Sequence, residues 1–85
     1  MNVKNLVICD SKIIFNILDE IKDELNFNLL FKTKKDLLEL KNLENYLILT
    51  ESPLGNLKNL IIVSSLPIEI KKLIEKINIG FLKKN

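Results

Sequence analysis

The sequence predicts an α/β domain built on a mostly parallel four-stranded sheet with three main helices on its faces. Three observations carry this expectation. Leu6-Val7-Ile8-Cys9, Tyr46-Leu47-Ile48-Leu49 and Leu60-Ile61-Ile62-Val63 are uninterrupted apolar runs of strand length, as expected for strands covered on both sides. Between and after them the apolar period changes to helical spacing, most clearly in Ile13, Ile14, Ile17, Leu18, Ile21 and Leu25 and again from Ile68 onward, which is the 3.6-residue signature of a helix lying on a sheet. The resulting order, strand-helix-strand-helix-strand-strand-helix, is that of parallel strands joined by crossovers.

Taken in order, the first run ends at Asp10-Ser11, either of which can cap the helix that begins at Lys12. Phe27, Leu29 and Phe31 alternate with Asn28, Leu30 and Lys32, so the second strand has one apolar and one partly polar face and belongs at a sheet edge. Thr33-Lys34-Lys35-Asp36 resembles a capping box with Asp in place of Glu, and Leu37, Leu38, Leu40 and Leu43 give the next helix an apolar face of about three turns. The third strand stops at Thr50-Glu51-Ser52-Pro53. Residues Glu51 to Asn59 are fewer than the dozen or so that a parallel return needs, so either Pro53 to Lys58 makes one compact turn or the last strand pairs differently. Pro67 suits the first position of the final helix, expected from Ile68 to about Ile79 or Leu82.

Length and composition narrow the function classes. Eighty-five residues make one domain, 1–85, near the lower limit for folding without disulfides or metal. The 47% hydrophobic and 28% charged content is that of a globular domain with a real core and not of a disordered tail. Cys9 is the sole cysteine and histidine is absent, which removes an internal disulfide and the usual zinc and haem sites. Thirteen lysines, with no arginine, are interspersed among eleven acids at a net charge of +2. Bidentate base and phosphate recognition leans on arginine, so any DNA contact is expected from a separate domain. The apolar runs are too short for a signal-peptide core or a bilayer span; the expected location is the cytoplasm, with no membrane partner.

A parallel sheet carries its chemistry beyond the C-terminal strand ends, which places Asp10, Thr50 and Ser64-Ser65 together. The turn Cys9-Asp10-Ser11-Lys12 has no glycine and does not form a phosphate cradle. Cys9 could be a nucleophile at a helix N-terminus, but without a histidine base the reading as a small buried core residue leads. Asp10 with Glu51 could hold a divalent cation, against the commoner job of helix capping. On the last helix, Ile70, Leu73, Ile74, Ile77 and Phe81 form the expected core stripe. Ile68, Lys72, Glu75, Ile79 and Leu82 form a second row on roughly the opposite side, suited to a partner helix. Gly80 is a candidate helix end that would take Leu82 out of that row.

NLVICD, helix, FNLLFK, helix, NYLILTE, then LIIVSSLPIEIKKLIEKI resembles, over nearly the whole chain, the receiver domains of bacterial response regulators, especially those fused to winged-helix DNA-binding domains. The resemblance implies a small flavodoxin-like three-layer sandwich with strand order 2-1-3-4, shortened by about one helix-strand-helix unit. Receivers carry two adjacent acids after the first strand, a phosphoaccepting aspartate at the end of the third and a lysine before a conserved proline. Here those places hold Cys9-Asp10, Thr50 and Leu66. Transfer of a phosphoryl group to a side chain needs a nucleophilic carboxylate and a cation, so the resemblance implies a degenerate receiver that is not an enzyme, holds no metal or cofactor, and keeps the family's use of its last-helix face for dimerisation. The expected function is a phosphorylation-independent regulatory and dimerisation domain of a transcriptional regulator, with Ile68, Lys72, Glu75, Ile79 and Leu82 at a homodimer interface and DNA bound only through a separate C-terminal domain. The alternatives are a small phosphocarrier or thiol enzyme using Cys9, and a protein-binding adaptor.

Overall fold

The computed structural model describes residues 4–40, 45–52, 59–63 and 69–84. The elements run β1 (Asn5–Cys9), α1 (Lys12–Glu20), a single 3₁₀ turn (Lys22–Glu24), β2 (Asn28–Lys32), α2 (Lys34–Leu38), β3 (Leu47–Thr50), β4 (Leu60–Ile62) and α3 (Ile70–Lys84). The fold is α/β, and its four strands form one sheet in the order β2-β1-β3-β4. All three strand pairings are parallel. The last strand therefore pairs like the others: Val63 N–H donates to Thr50 O at 2.9 Å, and Ile48 N–H to Asn59 O at 2.9 Å. The path through Pro53 to Lys58, including Gly55, lies outside the described residues.

The strands separate two apolar layers. Because side chains alternate across a strand, Leu6 and Ile8 of β1, Leu47 and Leu49 of β3, and Ile61 of β4 point to one side, where Ile14 and Leu18 of α1 and Leu73, Ile77 and Phe81 of α3 cover them. Val7, Cys9 and Ile48 point to the other, against Leu37 of α2, with Leu40, Tyr46 and Leu60 alongside. β1 and β3 are buried on both sides and central, as their unbroken apolar runs require. β2 is an edge strand, and its Leu29 and Phe31 join the layer under α1. Phe31 meets the Phe15 ring edge-on at 5.7 Å between centroids, an arrangement that favours ring quadrupoles.

Several expected boundaries shift for identifiable reasons. α1 stops at Glu20, and the periodic run through Ile21 and Leu25 continues as the 3₁₀ turn, whose tighter winding still packs both side chains on the core. Ile13, expected on the apolar side of α1, is exposed. α2 is five residues long and not three turns: Leu37 alone of its leucines is buried, Leu38 points to solvent, and Leu43 lies outside the described residues. α3 begins at Ile70 and continues through Gly80 to Lys84; Ile68 lies outside the described residues. Ile70, placed by spacing on the core stripe, is 43% exposed.

Gly80 does not end α3; it lets the helix lie close to the sheet. A Cβ there would stand 2.9 Å from Ile61 Cδ1 and 3.1 Å from Leu47 Cδ2, both nearly buried side chains of the adjacent strands. Gly80→Ala gains about 1 kcal/mol of helix propensity, but overpacking a close-packed core costs roughly 1–3 kcal/mol. The expected net result is a loss of about 1 kcal/mol, read as a lower urea midpoint at unchanged m-value.

Candidate functional site

The C-terminal ends of β1 and β3 lie side by side, since Ile8 is in register with Leu49, and bring Cys9, Asp10 and Thr50 to one end of the sheet. Ser64, Ser65 and Leu66, the remaining residues expected there, lie outside the described residues, as does Pro67. The structure thus brings together three of the expected site positions, and the local bonding of each shows what it can do.

Asp10 turns the chain. Its φ is +60°, in the left-handed region that non-glycine residues enter uncommonly and in which Asp and Asn are enriched. Its N–H donates to Lys32 O at 3.0 Å, extending the β1–β2 ladder by one bond. Its Oδ1 accepts from Lys34 N–H at 3.1 Å, at the start of α2, where a carboxylate is favoured by the orphan amides and the positive helix end. Thr33 Oγ1 accepts from Asp36 N–H at 3.2 Å, so α2 is capped twice at its N-terminus. α1 is capped by Ser11, whose Oγ accepts from Ile14 N–H at 3.4 Å. Capping was the expected job for Asp10, but the helix it caps is the second and not the first, because the left-handed backbone swings its side chain toward β2.

Thr50 is buried at the end of β3. Its hydroxyl donates to Ser52 O at 2.9 Å and accepts from Ser52 N–H at 3.3 Å, a local turn that uses both capacities of the group. Glu51, the other carboxylate weighed as a cation ligand, is exposed. Among the described residues no cluster of three or more acidic or thiol side chains that could hold a metal ion occurs.

Cys9 is a free, buried cysteine packed with Val7, Leu37 and Ile48. Burial pushes its thiol pKa up; the neighbouring Asp10 charge adds to this, and Lys34 partly opposes it. The neutral thiol is a poor nucleophile, and the chain has no histidine to act as its base.

The outer side of α3 is the other candidate surface. Leu73, Ile77 and Phe81 are buried, while Lys72 and Glu75 are exposed, Ile79 is 50% exposed and Leu82 is 76% exposed. The row of Lys72, Glu75, Ile79 and Leu82 expected from sequence therefore faces solvent in full, and its fifth member, Ile68, falls outside the described residues. Lys76 Nζ donates to Ile62 O at 3.2 Å, so this side of α3 leans over β4, the sheet edge. That contact satisfies an outward carbonyl of an edge strand with a lysine, a common means of blunting a sheet edge, and spacing alone did not reveal it. No helix among the described residues is long and apolar enough to cross a membrane.

No protein-family model, curated protein or solved structure matches this chain.

Two outcomes test the reading of the strand-end cluster. Asp10→Ala removes the acceptor for Lys34 N–H and leaves a Cβ-bearing residue with no local hydrogen bond in the left-handed region, at an expected cost of about 1–2 kcal/mol. Asp10→Asn keeps an acceptor and tolerates the conformation, so its loss in urea denaturation is a few tenths of a kcal/mol, on the order seen between good caps. The raised Cys9 pKa makes the folded protein hold a proton that the unfolded chain releases. Stability is then independent of this group at neutral pH and falls as pH rises past the free-thiol value of about 8.5, by up to roughly 1.4 kcal/mol per pH unit until the folded thiol also ionises. Denaturation series between neutral and alkaline pH on wild type and Cys9→Ala check this: the variant lacks that part of the decline.

Proposed function

We propose that the chain is a receiver-like regulatory module that works by self-association and not by phosphoryl transfer. Two sets of observations support the reading, one at each candidate surface. At the strand ends, Asp10 and Thr50 spend their polar groups on backbone, Asp10 on Lys34 N–H and Thr50 on Ser52. Position 50, the last residue of β3, is threonine where a phosphoaccepting carboxylate would be needed, and the neighbouring Glu51 is exposed. On α3, by contrast, the exposed row carries large apolar side chains that the domain's own core does not use.

The observation that carries the proposal is the exposure of Ile79 and Leu82 three residues apart on the outer side of a helix whose inner side buries Leu73, Ile77 and Phe81. Neighbours at that spacing make one patch, and an apolar patch edged by charges suits a protein interface. In this reading the occupant is a second copy of the chain, giving a two-fold dimer. A DNA-binding domain on the same polypeptide would then be brought together with its twin; the present chain itself makes no DNA contact in this scheme. The buried, protonated Cys9 weighs against the thiol-enzyme alternative.

Sedimentation equilibrium at high micromolar concentration tests the dimer. Wild type is expected to self-associate. Ile79→Glu is expected to weaken self-association at least about tenfold, equivalent to roughly 1.4 kcal/mol, without lowering the urea midpoint, since the side chain is half exposed. A wild type that remains monomeric throughout the range sinks the proposal.

A further inference from the structure

The sheet ends in two edge strands, and the chain treats them differently. At β4, Val63 N–H donates to Thr50 O and Ile48 N–H to Asn59 O, so by alternation Leu60 and Ile62 point their N–H and C=O groups outward. Lys76 Nζ blunts that edge by donating to Ile62 O at 3.2 Å. At β2, Asn28 N–H donates to Lys4 O at 2.8 Å, and Lys32 O accepts from Asp10 N–H at 3.0 Å. Asn28, Leu30 and Lys32 thus bond inward to β1, while Leu29 and Phe31 present their N–H and C=O groups outward. Among the described residues no hydrogen bond reaches those outward groups. The strand is unbulged, has no proline, and leaves Leu29, Leu30 and Phe31 only partly buried. An open edge of this kind is a template for a further strand.

Charge identifies the strand that fits. Residues 19–24, which lead into β2, hold Asp19, Glu20, Asp23 and Glu24 against Lys22; residues 32–36, which leave it, hold Lys32, Lys34 and Lys35 against Asp36. Lys12, with its Nζ 5.4 Å from the Phe31 ring centroid, adds to the basic end. Asp10 at that end and Lys4 at the other reverse neither sign. A parallel neighbour of the same sequence sets like on like. An antiparallel one sets basic on acidic at both ends of the contact, the complementarity that favours a partner.

Three antiparallel two-fold registers bring outward groups together. Centred on Leu29, the pairing bonds Leu29 to its own copy and turns Phe31 toward Phe27, which precedes the strand. Centred on Phe31, it bonds Phe31 to its own copy and turns Leu29 toward Thr33, whose carbonyl already accepts from Leu37 N–H. Centred on Leu30, it pairs Leu29 with Phe31 of the second copy and Phe31 with Leu29, and every outward group of β2 is bonded.

Going beyond the α3 contact, we infer that β2 pairs antiparallel with β2 of a second copy about a two-fold axis at Leu30, so that one sheet runs through both. Leu29 and Phe31 continue the apolar layer under α1. Leu30, which packs on the layer of Val7 and Leu37, meets its own copy on the other side. Asn28 stands opposite Lys32 of the second copy, both in a pair without backbone bonds, where side chains lie closest. β2 and β4 are opposite edges, so Ile79 and Leu82 on α3 take no part. A copy joined to one neighbour through α3 is then open to another through β2, and association continues past two copies.

Ile79→Glu removes the α3 contact, so the association it retains reports β2. At high micromolar concentration this variant is expected to sediment as a pair. Its Leu29 and Phe31 amides are expected to exchange hydrogen at least about tenfold more slowly than at low micromolar concentration, read by NMR. In the same background Asn28→Lys sets lysine against Lys32 twice and is expected to weaken pairing by about threefold to tenfold. Adding Lys32→Glu to that chain restores opposite charges and with them the pairing. Asn28 is exposed, and circular dichroism with urea midpoints establishes that the variants fold. An Ile79→Glu chain that is monomeric throughout, or amides that exchange alike at both concentrations, overturns the β2 pairing and leaves the α3 contact standing. Pairing that Asn28→Lys does not weaken, or that Lys32→Glu does not restore, overturns it as well. If wild type and Ile79→Glu associate equally and the substitutions at 28 and 32 govern both, the β2 pairing stands and the α3 reading fails. A monomeric wild type overturns both.

Discussion

The structure depends on burying β1 and β3 from both sides. Leu6, Ile8, Leu47 and Leu49 require a layer above the sheet, and Val7, Cys9 and Ile48 require one below. A small chain has little surface to spare for this. It meets the first demand with two helices, α1 and α3, and among the described elements it meets the second with α2, a helix of five residues. So short a helix is not stable by its own propensity. It holds through Leu37, which is fully buried, and through two N-terminal caps, one of which comes from the far side of the β1–β2 ladder.

That second cap links fold to chemistry. Asp10, at the end of β1, adopts a left-handed conformation and turns its carboxylate onto the Lys34 amide. Its Oδ1 accepts that amide and so serves to start α2. Thr50 is spent in the same way, its hydroxyl closed on the Ser52 backbone. The polar atoms at the strand ends do the structural work of ending β1 and β3 and starting α2. The neighbouring Cys9 is held neutral by its burial.

How much of this was legible in the sequence follows from how local each signal is. The strand positions and the caps at Ser11 and Thr33 rest on neighbours within a few residues, and the periodicity reports them; the parallel pairing of β4 with β3 is non-local, and spacing left it open. The exposed row on α3 was legible for the same reason. The length of α2 was not, because Leu38 and Leu40 satisfy a helical pattern equally well whether or not there is a sheet beneath them. The target of Asp10 was not legible either: its partner is 24 positions away and depends on a positive φ that no local motif announces for Asp. Gly80 misled in the opposite sense, since glycine near the end of a helical run usually marks its stop, and only the positions of Ile61 and Leu47 reveal that it is needed for close approach.

Gly80 also determines which way the outer side of α3 points. The absence of a Cβ at this position allows the helix backbone to sit down on Ile61 and Leu47, and a helix that touches its sheet at a glycine cannot roll without lifting that contact off. With Gly80 seated inward and Leu73 and Ile77 buried along the same side, Ile79 is turned about 100° away from the glycine. It stands beside Lys76, which is itself pinned to the β4 backbone. The outer row is thus held in one direction by the core packing on the helix's other side. A surface whose backbone orientation is set this firmly leaves only side-chain ordering, not helix reorientation, as the conformational cost of any contact made there.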